Sequence, residues 1–202
     1  VKLQHDPRFS SVVVIGHSEG SLIGMLAAHT TRANAFVSLA GAGRGAADVI
    51  RTQLAGKLPP DLAAQNEAIL VGLENGQTGA VVPKELAALY RPSVQPYLVS
   101  WFKYVPYERI GKLEVPVLIV QGTTDIQVAV SEAELLKKGQ PKARLAIIPG
   151  LNHVLKVVEA GSPTPLASYS DPALPIAPGL ITVLTDFLRG LPSRPARRGN
   201  LN

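Results

Sequence analysis

The sequence predicts an α/β protein whose mostly parallel sheet carries flanking helices and a long helical insertion. Three observations lead there. Four short, continuous apolar runs stand at residues 11–15, 36–39, 117–121 and 144–148. Continuous apolar runs, as opposed to alternating ones, mark strands covered on both faces, as in parallel sheets. Finally, strand-like and helix-like segments alternate at both ends of the chain, whereas residues 45–112 show helix-like pieces only.

Taken in order, residues 11–15 read Ser-Val-Val-Val-Ile and end at Gly16. This predicts a strand buried on both faces. Residues 21–29 come next as a helix, with Leu22, Met25 and Leu26 on one face. Residues 36–39 form a second strand, closed by Ala40-Gly41-Ala42-Gly43. Together these make one strand–helix–strand unit. Within the insertion, residues 46–55, 61–73 and 84–90 read as helices, punctuated by Pro59-Pro60, Asn75-Gly76 and Pro92. Trp101, Phe102, Tyr104 and Tyr107 cluster at its far end, a local enrichment in a chain with one Trp.

The alternation resumes with a strand at 117–121, opened by Pro116, and a loop at 122–130. Ser131-Glu132-Ala133-Glu134 predicts a capping box and a helix start, with Gly139 as terminator. A strand stands at 144–148, then a proline-rich loop at 161–179, and a last helix at 180–188 with Leu180, Val183, Leu184, Phe187 and Leu188 buried. Residues 191–202, with Arg194, Arg197 and Arg198, read as a flexible basic tail. The whole, 1–202, is expected to be one domain, with no internal repeat and no linker.

Composition excludes several classes. The chain has 202 residues and no cysteine, so disulfides, thiolate nucleophiles and cysteine metal sites are out. No apolar run is long enough to span a bilayer. No secretory leader pattern stands at Val1. The net charge is +5, but basic residues gather at the C-terminal end, not in a stripe interleaved with aromatics, so no nucleic-acid partner is expected. No His/Asp/Glu grouping has metal-ligand spacing and no Gly-rich phosphate loop occurs, so neither metal nor cofactor is expected.

Gly16-His17-Ser18-Glu19-Gly20 matches G-x-S-x-G directly after a predicted strand and before a predicted helix. A serine hydroxyl needs an exposed position, a base in reach and donors for the developing oxyanion. A sharp strand-to-helix turn supplies the first, with Gly16 and Gly20 expected to remove side chains that would clash. The backbone N–H of Glu19, at the helix N-terminus, is the expected oxyanion donor. The acid and base should come later, in that order. Asp125 lies four residues beyond one strand and His153 five beyond the next. Both fall in loops at the carboxyl ends of parallel strands, where open α/β sheets assemble their sites. His153 is the expected base and Asp125 its orienting acid. The other reading of Asp125 is a turn former, and of His153 a packing histidine. His17, Trp101, Phe102 and Tyr104 are candidate pocket residues. For the aromatics, a second reading is that they anchor the insertion to the sheet.

Gly-His-Ser-Glu-Gly-Ser at 16–21, Gly-Thr-Thr-Asp at 122–125 and Leu-Asn-His at 151–153 resemble the motifs of the α/β-hydrolase superfamily, most closely its bacterial single-domain serine esterases. The resemblance covers residues 11–190. It implies hydrolysis of carboxylic esters through an acyl-enzyme without a cofactor, with 45–112 as a helical cap, and the expected substrates are small to medium acyl esters. In that family several strands and helices precede the elbow, and an upstream loop supplies a second oxyanion donor. Ser18 stands so early that the expectation is the C-terminal portion of the fold, with that donor absent and the first strand's edge open to self-association. Two alternatives remain: a catalytically silent fragment needing a partner or dimerisation, and an amidase or peptidase of the same superfamily.

Overall fold

The computed structural model describes residues 2–6 and 8–192. Most of the expected tail at 191–202, including Arg194, Arg197 and Arg198, lies outside the described residues. Four parallel strands form one sheet in the order β1-β2-β3-β4: β1 (Val13–His17), β2 (Ala35–Leu39), β3 (Val117–Gly122) and β4 (Arg144–Ile148). Every residue of β2 and β3 is buried, which is why both read as unbroken apolar runs.

After a short α1 (Lys2–His5), the helices divide by face. α2 (Glu19–Thr31), α7 (Pro106–Ile110) and α8 (Val130–Gly139) contribute Met25, Ile110 and Leu136 to a core around Phe36 and Ile119. α9 (Pro178–Arg189) sets Leu180 and Phe187 against Val37, Leu118 and Val120 on the opposite face. A third cluster holds the segment between β2 and β3 together. Its helices are α3 (Ala46–Leu54), α4 (Pro60–Glu74), α5 (Ala87–Tyr90, after a 3₁₀ turn at Lys84–Leu86) and α6 (Gln95–Phe102). Leu70, Leu73, Tyr90 and Leu98 are buried there, and the Tyr90 hydroxyl donates to Asn66 Oδ1 at 2.7 Å.

The structure corrects the sequence reading at three places. The first strand runs over Val13–His17, not 11–15, and is not buried on both faces: β2 is its one neighbour and Ile15 is 48% exposed. α9 packs mainly on β4. Two helices, α6 and α7, occupy the region after Pro92 that the sequence left unassigned. Each begins with proline in its first turn (Pro96, Pro106), where the missing amide costs nothing. The capping box at 131–134 does not form. α8 starts at Val130 with Ala129 as N-cap and no side-chain cap. Glu132 is instead buried, accepting the backbone N–H groups of Gly43 and Arg44 at 2.9 and 3.0 Å. The Arg44 Nε donates to it at 2.6 Å and Nη2 lies 2.5 Å away. This ties α8 to the loop after β2.

Candidate active site

β1 delivers its chain to α2 through Ser18 alone. Ser18 holds φ 54 and ψ −125, a region that non-glycine residues rarely enter and that costs roughly 1–3 kcal/mol. Its N–H donates to the Leu39 carbonyl at 2.9 Å, pinning the turn to β2. A Cβ on Gly16 would sit 2.1 Å from the Gly20 carbonyl oxygen, so residue 16 must be glycine for the helix to rise there. A Cβ on Gly20 meets nothing within 4 Å, so the steric demand expected of it falls on Gly16 alone. The strained turn stands Ser18 at the carboxyl edge of the sheet, and Glu19 takes the first helical position. N–H groups there have no intrahelical acceptor.

The loop after β4 brings His153 back to Ser18 across 135 residues. Ser18 Oγ lies 3.0 Å from His153 Nε2, and His153 Nδ1 lies 2.9 Å from Asp125 Oδ2. A carboxylate only accepts, so Nδ1–H donates to Asp125, and Nε2 is left to accept the Ser18 hydroxyl. His153 is buried and the Asp125 side chain has no exposed surface. Burial pushes the Asp125 carboxyl up, but donors more than offset it. The His153 ring and the backbone N–H groups of Val128 (2.9 Å) and Gln127 (2.8 Å) hold its pKa below the usual carboxylate value.

Two residues that sequence reasoning missed lock this arrangement. Gln121, fully buried at the end of β3, donates Nε2 to Asp125 Oδ2 at 3.0 Å and to the Val128 carbonyl at 2.9 Å. Asn152, buried beside His153, accepts the Lys156 N–H on Oδ1 and donates Nδ2 to Ser168 Oγ at 2.8 Å, closing the loop that carries the histidine. Their one sequence signal was polarity at the end of an apolar strand and next to the histidine.

A cavity of about 230 Å³ opens beside Ser18, with Glu19, Arg44, Ile50, Trp101 and Val128 in its walls. Among the described residues, no group of three or more His, Asp or Glu side chains is placed to hold a metal ion. No helix among them is long and apolar enough to cross a membrane.

No protein-family model matches the sequence, and no curated protein matches it. Solved structures do. The chain superposes on a bromoperoxidase from Bacillus anthracis at 17% identity and TM-score 0.51, covering 90% of this chain and 68% of that one. With Est1E from Butyrivibrio proteoclasticus, solved with ferulic acid bound, the identity is 24% and the TM-score 0.50, over 74% of this chain and 54% of that one. The esterase RhEst1 from Rhodococcus sp. ECU1013 gives 22% and 0.45, over 89% and 66%. The chain has an α/β-hydrolase fold.

Within that hydrolase fold the four candidate pocket residues separate. Trp101 lines the cavity. The Phe102 ring lies 6.4 Å from Trp101 and packs against the buried cluster between β2 and β3, so it anchors that segment. Tyr104 faces the Arg109 guanidinium, 4.9 Å above its ring. His17 turns away from the cavity: its Nε2–H donates to the His153 carbonyl at 2.7 Å, and the two rings lie 5.0 Å apart. It therefore braces the backbone of the loop that presents His153. The hydrolase fold thus collects Ser18, Asp125 and His153 from the ends of β1, β3 and β4, and the cavity draws on α2, α3 and α6.

Proposed function

We propose that the chain is a serine esterase that cleaves small carboxylic esters through an acyl-enzyme. The observation that supports this most is the hydrogen-bonded sequence Ser18–His153–Asp125, at 3.0 and 2.9 Å, opening onto a mainly apolar cavity. Ser18 Oγ attacks the ester carbonyl carbon as His153 Nε2 takes the hydroxyl proton. The negative charge moves to the carbonyl oxygen, which accepts the Glu19 N–H. Collapse of the tetrahedral intermediate breaks the bond to the alcohol, which leaves with the proton from His153. A water then gives a proton to His153 and attacks the acyl carbon, and the carboxylic acid departs as Ser18 regains its proton. Asp125 keeps the ring in its Nδ1–H tautomer and stabilises the imidazolium. Helices over residues 45–112 act as a cap that excludes water.

The test is covalent labelling with a fluorophosphonate, located by mass spectrometry, alongside hydrolysis of matched ester and amide substrates. An adduct on Ser18, lost in His153→Ala, with ester turnover lost in Ser18→Ala, supports the reading. Labelling elsewhere, or ester turnover that survives Ser18→Ala, sinks it. Amide turnover exceeding ester turnover moves the assignment to an amidase or peptidase. One observation favours a second reading. β1 has an open edge with Ile15 exposed, an invitation to pair with another strand. In that reading the chain is silent until a partner or a second copy covers β1. A folded, monomeric, unlabelled chain that becomes labelled on association would support it.

A further inference from the structure

Two charged side chains line the cavity beside Ser18, and their charges are met differently. Arg44 is neutralised where it stands. Its Nε and Nη2 face Oε1 of the buried Glu132 at 2.6 and 2.5 Å, and Nη1 donates to Thr52 Oγ1 at 3.0 Å. Glu19 has no cation within ion-pair distance among the described residues. Its partner there is neutral: the Tyr97 hydroxyl donates to Oε1, and Oε2 accepts no hydrogen bond from the described residues. Burial pushes the Glu19 carboxyl above the usual range, as expected of a partly desolvated carboxylate without a counter-ion. The aromatic rings of Tyr97 and Trp101 lie 5.8 Å apart next to it, and Leu22, Val49 and Ile50 supply apolar wall. A lone carboxylate beside aromatic faces is the chemistry that recognises ammonium groups.

We propose that Glu19 is a specificity-determining residue, its carboxylate selecting ammonium-bearing ligands over anionic ones at the Ser18 cavity. The ligand group is small. A cavity of about 150 Å³ already holds benzene, so about 230 Å³ takes a short alkylammonium or a single ring. That such ligands are substrates rests on the esterase reading above; the binding preference needs no chemistry.

Trp101 is the chain's one tryptophan and lines the cavity, so its fluorescence reports occupancy. The full chain is titrated at neutral pH with a short alkylamine and with the alcohol and carboxylate of the same length. The alkylammonium is expected to bind about tenfold more tightly than the carboxylate, attraction of one and repulsion of the other each contributing about threefold. Glu19→Gln keeps the size and an acceptor for Tyr97, and should bring that ratio near one. Tyr97→Phe keeps the charge and should preserve the preference. Equal affinities in the unaltered chain, a ratio unchanged by Glu19→Gln, a preference lost in Tyr97→Phe, or no fluorescence response to any probe would each overturn the proposal. An ammonium preference in a chain that turns over no ester leaves it standing and removes the esterase reading. Turnover of neutral esters with a flat titration series does the reverse.

Discussion

Replacing Glu132 with alanine removes one acceptor shared by four donors. The N–H groups of Gly43 and Arg44 lose Oε2, and the Arg44 Nε and Nη2 lose Oε1. The Glu132 side chain is 5% exposed, so little water replaces it at the Gly43 amide. Breaking a buried ion pair from one side costs about 3–5 kcal/mol. The Arg44 side chain is 41% exposed and can be partly hydrated, which lowers the expected loss to about 2–4 kcal/mol. For a chain of this length that is a fall in Tm of about 4–16 °C. Urea unfolding monitored by far-UV circular dichroism at neutral pH measures it. A pH series adds a second readout. Burial raises the Glu132 carboxyl, but hydrogen bonds from Arg44 and Gly43 outweigh it, and its folded pKa lies below the reference 4.5. The folded state therefore holds fewer protons than the unfolded chain in acid. The stabilisation is complete above 4.5 and is lost as pH falls through the lower folded value. The gap between the unaltered chain and Glu132→Ala should narrow over that acidic window. A loss under about 1 kcal/mol at neutral pH, or a gap constant through acid, would refute the reasoning.

Three further outcomes are expected. Gly122→Ala places a Cβ 1.8 Å from the Leu151 carbonyl oxygen, where β3 meets the loop that carries His153. It should cost about 3 kcal/mol in urea unfolding and slow fluorophosphonate labelling of Ser18, and normal behaviour in both would contradict it. Tyr90→Phe strands the buried Asn66 Oδ1 and should cost about 1–3 kcal/mol, so an unchanged urea midpoint would count against the hydrogen bond. Ser18→Gly relaxes the positive φ and should raise stability by about 1 kcal/mol while abolishing labelling; a destabilised variant would mean the turn carries no strain.

Strands β2, β3 and β4 were legible because local chemistry decides them: short, mainly apolar runs with Gly or Pro close by have little else to become. The start of β1 was misplaced because Val12 has the same strand preference as Val13 and Val14. The strand instead extends through Gly16, whose lack of a side chain lets the chain pass beneath Gly20. α6 and α7 lie in the region left unassigned after Pro92; each carries proline in its first turn (Pro96, Pro106), where that residue starts a helix instead of breaking one. The capping box misled for a different reason. Ser131 and Glu134 have its spacing, but the glutamate with the decisive contacts is Glu132 between them, whose acceptors serve residues 88 and 89 positions away, and no local pattern records that. Gln121 and Asn152 are alike in this: each is a polar side chain whose meaning lies in the fold's closure around Asp125 and His153.

The hydrogen bond between Ser18 and His153 closes a loop of 135 residues, with two parallel strand pairings inside it and a third, β1 with β2, at its start. Each pairing joins segments separated by a crossover, so chain entropy is spent well before the contact is gained. The cluster can assemble only after β1 through β4 are in register, and it comes apart when any one pairing opens. On the esterase reading, Ser18 reactivity is therefore a clock for the end of folding. In a refolding experiment it should appear with the slowest phase of sheet formation, and during unfolding it should vanish with the first strand to let go.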